Sequence, residues 1–359
     1  MIIEKNNRKM FLLYQTTIGS RAYGTHIEED TIINGVNFKK SDFDSRGICV
    51  PLDDNLYYGL HEFEQDNNKN DDGEENPIYS IKKFFRLASN NNPNLLEMLF
   101  IDDPKLNTHV TDIWEDLIKP NRNMFLSKKC KHAYKGYAMA QMKRIQNHRK
   151  WLSVPPEKPN SDNYFFEPKE KYDYYKGIYL DYDKNMPGMK ERLYYWIDNL
   201  KEIPDSVIYV KTHGKKILFR YKHDQREKQG MLFDQVKYDE DVKTYSKYTS
   251  WRENRNDARF KYEAVMGYDT KHGSHVHRLL DQAIEILEDG TLTVNNPEKS
   301  PYWKDIRFMK VPYEEFISNY EAKINLLDTL EANSTLQKIP PINKIEQICI
   351  DVTKKVLGL

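Results

Sequence analysis

An order of short segments near the N-terminus limits what this chain can fold into more than any other feature. Phe11–Tyr14 is an apolar run of strand character. It leads into Gly19-Ser20-Arg21-Ala22-Tyr23-Gly24, a small-residue turn that can open a helix. After a spacer, Ser41-Asp42-Phe43-Asp44 begins a second strand that continues through Gly47-Ile48-Cys49-Val50 and closes at Pro51. Residues two apart on a strand share a face. Asp42 and Asp44 are therefore expected to converge, with Phe43 turned into the core. Two adjacent carboxylates repel unless a cation sits between them. Hard oxygen donors that leave coordination positions open to phosphate suit Mg²⁺ or Mn²⁺. Gly19, Ser20 and Arg21 become candidate phosphate-binding residues, because a Gly-Ser turn presents backbone N–H groups and a hydroxyl to an anion. By itself, Asp-x-Asp is more often a solvated strand edge. Its place after a strand and a Gly-Ser turn changes that weight.

The remainder divides into a strand-and-helix segment to about residue 120 and a mostly helical segment over 121–359. Residues 64–76 are acidic and Asn-rich and read as an exposed loop. Ile78–Ala88 carries apolar residues at a helical period, Asn90–Pro93 interrupt it, and Leu95–Phe100 resume it. Ser127 is placed to cap a helix running to about Leu152. Residues 153–185 read as a surface insertion, and Ser206–Tyr221, with His213-Gly214 at its middle, as a β-hairpin. Helices are expected over 245–264 and 270–289 and again beyond Tyr313.

The chain has 359 residues, with 55 Lys plus Arg against 55 Asp plus Glu. That balance argues against coating nucleic acid by bulk charge but leaves room for a local basic cleft. Three scattered cysteines give neither a disulfide framework nor a metal-ligand spacing. No apolar run has the length of a membrane helix, and the N-terminus lacks signal-peptide character. A cytoplasmic protein is expected.

The helical segment contributes cations. With Asp269 or Thr270 as cap, Val276, Leu279, Leu280, Ala283 and Leu287 form an apolar stripe. Lys271, His275, Arg278 and Gln282 share another side. Arg252, Arg255 and Arg259 fall on one side of the preceding helix by their spacing. A solvated face is the plainer reading. The concentration of charge instead suggests that Arg255, Arg259, Lys271, His275 and Arg278 face an anionic ligand, and that truncating Lys271 or Arg278 leaves the fold intact. His132, His148 and His272 show no metal-ligand spacing.

The strand, Gly-Ser turn and Asp-x-Asp order resembles the DNA polymerase β nucleotidyltransferase superfamily. Five motifs narrow the likeness: residues 19–24, 41–47, 92–100 (Asn-Pro-Asn-Leu-Leu-Glu-Met-Leu-Phe), 255–259 (Arg-Asn-Asp-Ala-Arg) and 267–272 (Gly-Tyr-Asp-Thr-Lys-His). Together, over about residues 11–295, they are similar to the RNA-ligase-associated nucleotidyltransferases of bacteria and large phages. The resemblance implies an α+β fold: a small mixed sheet with helices, followed by a mostly helical region with a β-hairpin insertion. It implies transfer of a nucleoside monophosphate from a triphosphate, ATP or another, to a hydroxyl acceptor, RNA or DNA, with Mg²⁺ or Mn²⁺ as cofactor and association with an RNA ligase. It also implies a third carboxylate, for which Glu75 is the candidate and Glu74 the alternative. Transfer to a protein or small molecule, and a non-catalytic nucleotide-binding module, are the competing readings.

Overall fold

In a computed structural model of the chain, the described residues are 1–5, 8–33, 35–53, 62–67, 76–166, 208–212, 215–221, 232–255 and 257–359. They fall into two compact units, residues 1–149 with 256–359, and residues 150–255. Residue 120, the boundary expected from the sequence, lies inside the first unit.

The first unit is built on a mixed six-stranded sheet. Its strands are β1 (Ile2–Lys5), β2 (Arg8–Thr17), β5 (Ser45–Pro51), β6 (Gln65–Asp66), β7 (Ile78–Ser80) and β8 (Asn107–Val110), while β3 (Thr31–Ile33) and β4 (Val36–Phe38) form a separate antiparallel pair. β2 pairs antiparallel with β1, β5 and β8. β5 pairs parallel with β7, which takes β6 on its other side. β2 is nearly continuously buried because both faces of the sheet are covered. Leu13, Ile48 and Val50 join the large core, and Met10, Leu12, Cys49, Phe63 and Ile78 fill a smaller one.

Helices pack on this sheet. Ser80 caps α1 (Ile81–Ser89) by accepting a hydrogen bond from the Lys83 N–H at 3.2 Å, and Ile81, Phe84, Phe85 and Ala88 are buried. The expected start at Ile78 is therefore three residues early: Ile78–Ser80 pairs with β5 as a strand, and Ile78 happens to fit the helical period as well. Next come α2 (Pro93–Leu96), continued by a 3₁₀ turn over Glu97–Phe100, and α3 (Cys130–Ser153). Ser127 takes no side-chain capping role at α3; its hydroxyl donates to Asn91 Oδ1.

The second unit holds a four-stranded antiparallel sheet, with order β10 (Ile208–Thr212), β11 (Lys215–Tyr221), β12 (Leu232–Asp234) and β9 (Phe165–Phe166), followed by α4 (Gln235–Glu253). β10 and β11 form the expected hairpin.

The chain returns to the first unit with α5 (Asp257–Met266), α6 (Thr270–Asp289), α7 (Ser300–Arg307), α8 (Tyr313–Asn333) and α9 (Ile342–Leu357). The single helix expected over 245–264 is thus two. Arg252 and Arg255 do not share a helix face with Arg259, because α4 ends at Glu253 and α5 begins at Asp257. α6 has its expected bounds. The Asp269 carboxylate caps it at 3.0 Å from the His272 N–H, and Gly290, at φ +66°, ends it in the left-handed conformation. Its apolar stripe, Val276, Leu279, Leu280, Ala283 and Leu287, enters the same core as Leu13 and Ile48.

Candidate active site

The end of β2 and the approach to β5 are fastened together. The Ile18 N–H donates to the Asp44 carbonyl at 2.9 Å. Gly19 follows at φ +70°, a conformation that strongly favours glycine, and a Cβ built there would stand 3.8 Å from Asp44 Oδ2. The chain then folds into successive turns, with the Tyr23 N–H on the Gly19 carbonyl (3.1 Å) and the Thr25 N–H on the Ser20 carbonyl (2.9 Å). Residues 19–24 are turns and do not open a helix. Any phosphate cradle here consists of loop backbone and the Ser20 hydroxyl, without a helix N-terminus.

Asp42 and Asp44 lie on the irregular segment just before β5, which begins at Ser45. Ser41 anchors that segment. Its N–H donates to the Ile27 carbonyl, and its hydroxyl accepts from the Ile27 N–H (3.0 Å) and from Arg307 Nη2 (3.1 Å). Phe43 departs from expectation. It is 49% exposed, with the Arg21 guanidinium 3.5 Å above its ring. Two residues before the sheet there is no core on its side for the ring to enter, so it stacks on a cation instead. Arg21 also reaches the Ser41 carbonyl (3.4 Å) and Glu28 (3.8 Å). Its contacts brace the carboxylate segment, and it is not on the wall of the cavity described next.

A cavity of about 300 Å³ opens beside the carboxylates. Gly19, Ser20, Ser41, Asp42 and Asp44 line one part of it, and Lys39, Lys40, Phe38 and Ile27 another. The helices contribute Tyr262, Thr270, Lys271, His275 and Arg307. Asp42 is exposed and Asp44 partly so. Arg307, Lys39 and Lys40 are additions that the sequence reading missed. Lys39-Lys40 stand directly before Ser41, a signal that was available. Nothing in the chain order marked Arg307, which arrives from α7 and is aimed by the Thr25 carbonyl at 2.9 Å. Thr270 Oγ1 donates to the Arg307 carbonyl at 3.1 Å, fixing the start of α6 to the end of α7. Burial, and then the charges of Arg278, Lys271, His272 and Arg307, hold His275 well below the usual histidine range, so it is neutral at physiological pH.

Arg278 does not belong to this wall. It is buried, 3.2 Å from Glu97 Oε2, 2.8 Å from Gln282 Oε1, and stacked 3.9 Å over the Tyr23 ring. Arg46, on β5, reaches Glu97 at 3.6 Å, and the Tyr23 hydroxyl donates to the same carboxylate at 2.8 Å. Burial pushes Glu97 above the usual carboxylate range, while Arg278, Arg46 and Tyr23 pull it back. Arg255 is in the other compact unit, its guanidinium 4.2 Å over Trp251. Arg259 is on α5, and its side chain lies outside the described residues. Glu74 and Glu75 also lie outside them. The next residue, Asn76, accepts a hydrogen bond from the Ser45 hydroxyl at 2.6 Å, and the Pro77 carbonyl accepts from the Gly47 N–H. The chain leaving position 75 is thereby tied to the strand that follows Asp44.

Residues 2–166 match the model of the RNA repair pathway DNA polymerase beta family. Over that stretch, which is less than half of the chain, the sequence is similar to this family. The match covers the sheet, the Gly19-Ser20 turn and the Asp42/Asp44 segment, and it ends before the helices that complete the cavity. Comparison with curated proteins and with solved structures returned no match. No helix among the described residues is long and apolar enough to cross a membrane.

Proposed function

We propose that the chain transfers a nucleoside monophosphate from a nucleoside triphosphate to a hydroxyl of an RNA end. The observation that carries this reading is the cavity wall, where Asp42 and Asp44 stand with Lys39, Lys40, Lys271 and Arg307. An NTP needs oxygen donors for its metal and cations for its phosphates, and this wall supplies both. Asp42 and Asp44 fit Mg²⁺ or Mn²⁺: they are acidic oxygen donors, accessible from the cavity, and beside a glycine that leaves the approach open. A divalent ion held there supplies charge neutralisation on the phosphates and lowers the pKa of a bound hydroxyl.

The chain's own groups do the positioning. Lys271 and Arg307 bear on the β- and γ-phosphates, and the Ser20 hydroxyl and the Gly19 backbone approach the same group. Glu75, or Glu74, accepts the acceptor proton. The acceptor oxygen bonds to the α-phosphorus as the bond from that phosphorus to the β-bridging oxygen breaks, and pyrophosphate leaves. Catalysis of this kind rests on alignment and electrostatics. The RNA acceptor is preferred because the family covering residues 2–166 is one of RNA repair. ATP is the first nucleotide to try, and cooperation with an RNA ligase the partner to seek. The test is a panel of the four labelled NTPs with Mg²⁺ or Mn²⁺ and RNA, DNA or protein acceptors. Label on RNA, lost in Asp44→Asn, is expected. Label on protein alone would reassign the acceptor, and tight NTP binding without transfer would favour a binding module.

A further inference from the structure

Behind the helical wall of the cavity, three elements of the first unit bring metal-ligating side chains together. His148 comes from α3, Glu263 from α5, and Asp269 from the cap of α6. Each offers one donor atom, and the three atoms lie within 4.8 Å of one another. Glu263 and Asp269 are each only 2% exposed. Two carboxylates so close in the interior need a cation or a shared proton between them.

The spacings indicate what kind of charge. His148 Nδ1 is 3.2 Å from Glu263 Oε1, and His272 Nε2 is 3.6 Å from Asp269 Oδ2. Charge-assisted hydrogen bonds close to about 2.7–2.9 Å. Donors around a tetrahedral ion with bonds of about 2.0–2.1 Å stand about 3.3–3.4 Å apart. The His148–Glu263 distance is also within hydrogen-bond reach, and it lies near the edge of such a tetrahedron. Asp269 uses Oδ1 to cap α6 through the His272 N–H, which leaves Oδ2 to the cluster. The His148 and His272 rings are 6.4 Å apart between centroids, so His272 stands beside Asp269 but outside the donor triad.

We propose that His148, Glu263 and Asp269 form a site for a borderline divalent cation, Zn²⁺ being the best fit, with water as the fourth ligand. One neutral imidazole and two carboxylates give a charge-neutral complex with such an ion, and mixed nitrogen and oxygen donors suit Zn²⁺ better than Mg²⁺. Its position gives it a use. Glu263 follows Tyr262, and Asp269 and His272 flank Thr270 and Lys271, all three on the cavity wall. An ion there would clamp α3, α5 and α6 and hold that wall in place. The site is separate from Asp42 and Asp44 and does not depend on the nucleotidyl-transfer reading.

The test is zinc binding by the full chain after chelator treatment, followed by competition with a chromophoric chelator. One Zn²⁺ per chain is expected, with affinity lowered at least about a hundredfold in His148→Asn and in Glu263→Gln, and unchanged in Asp42→Asn/Asp44→Asn. In the wild-type protein, Co²⁺ substitution should give the strong visible absorption of a four-coordinate ion, a readout that needs no variant to fold. Absence of stoichiometric Zn²⁺ and of that absorption would overturn the site. So would zinc affinity that is unmoved in folded His148 and Glu263 variants but lost with the Asp42/Asp44 pair. In either case the cluster would be two histidine–carboxylate ion pairs.

Discussion

The two ends of one stripe on α6 make opposite uses of charge. Lys271, His275 and Arg278 follow one another at four- and three-residue steps, so the helical period alone places them together. In the fold, Lys271 and His275 line the cavity, while Arg278 is one turn further on, buried between Glu97 and the Tyr23 ring. What separates them is Glu97, in the element over 93–100, whose carboxylate meets Arg278. A cation facing a ligand and a cation holding up the fold look alike in sequence. They differ in the partner waiting across the gap.

That contrast predicts which substitutions damage chemistry and which damage stability. The largest effect belongs to the cavity carboxylates. Asp42→Ala or Asp44→Ala should cut transfer by about three orders of magnitude or more while melting near the wild type, because loss of an electrostatic group at the reacting phosphate removes most of the rate. Rate assays and thermal melts on the same preparations check both halves.

Arg278→Ala should do the reverse. Removing one member of a buried ion pair strands the other, and about 3–5 kcal/mol of stability is expected to go. Denaturant titration reads this. A near-native midpoint would erase the distinction between the two ends of the stripe.

Lys271→Ala and Arg307→Ala should fall between these extremes. Each removes charge-assisted contacts of about 1.5–3 kcal/mol to phosphate, which corresponds to about a ten- to hundredfold loss in kcat/KM. Arg307 should also destabilise somewhat, because it holds the Thr25 carbonyl and the Ser41 hydroxyl. Lys271 should not.

The smallest and most gradual effect is in pH. Burial, with the nearby charge of Lys323, lowers His277 to about 3 in the folded chain. Its unfolded value is near the ordinary 6.5. The folded state therefore keeps it neutral where the unfolded state would protonate it. Its contribution is complete above about pH 6.5 and is lost as pH falls towards 3, at up to about 1.4 kcal/mol per pH unit. His277→Asn should flatten that part of a stability-against-pH curve, although it also changes the packing against Tyr302 and Phe316.

Local pattern was enough to read some of this molecule. The bounds of α6 follow from one cap and one left-handed glycine, and the β10–β11 hairpin from its turn signal. Asp42 and Asp44 stood out because the Gly-Ser turn precedes them. Other features needed partners far away in the chain. Phe43 alternates with the carboxylates as a core residue would, yet the sheet begins only at Ser45. Arg307 meets Thr25 and Ser41 across more than 260 residues, and His148 precedes Glu263 by 115, so no spacing announces either arrangement. Arg278 was misread because Glu97, its partner, sits in an apolar run whose single acid carried no local signal.

The most direct measurement of the central claim follows the label. With Mg²⁺, an RNA acceptor and an NTP labelled at either the α- or the γ-phosphate, the account predicts that α-label becomes covalently attached to the acceptor while γ-label leaves entirely in pyrophosphate. Covalent γ-label on the acceptor would mean phosphoryl transfer. With no label on any acceptor and every NTP tried, the cavity at Asp42 and Asp44 would be a binding site without the chemistry assigned to it.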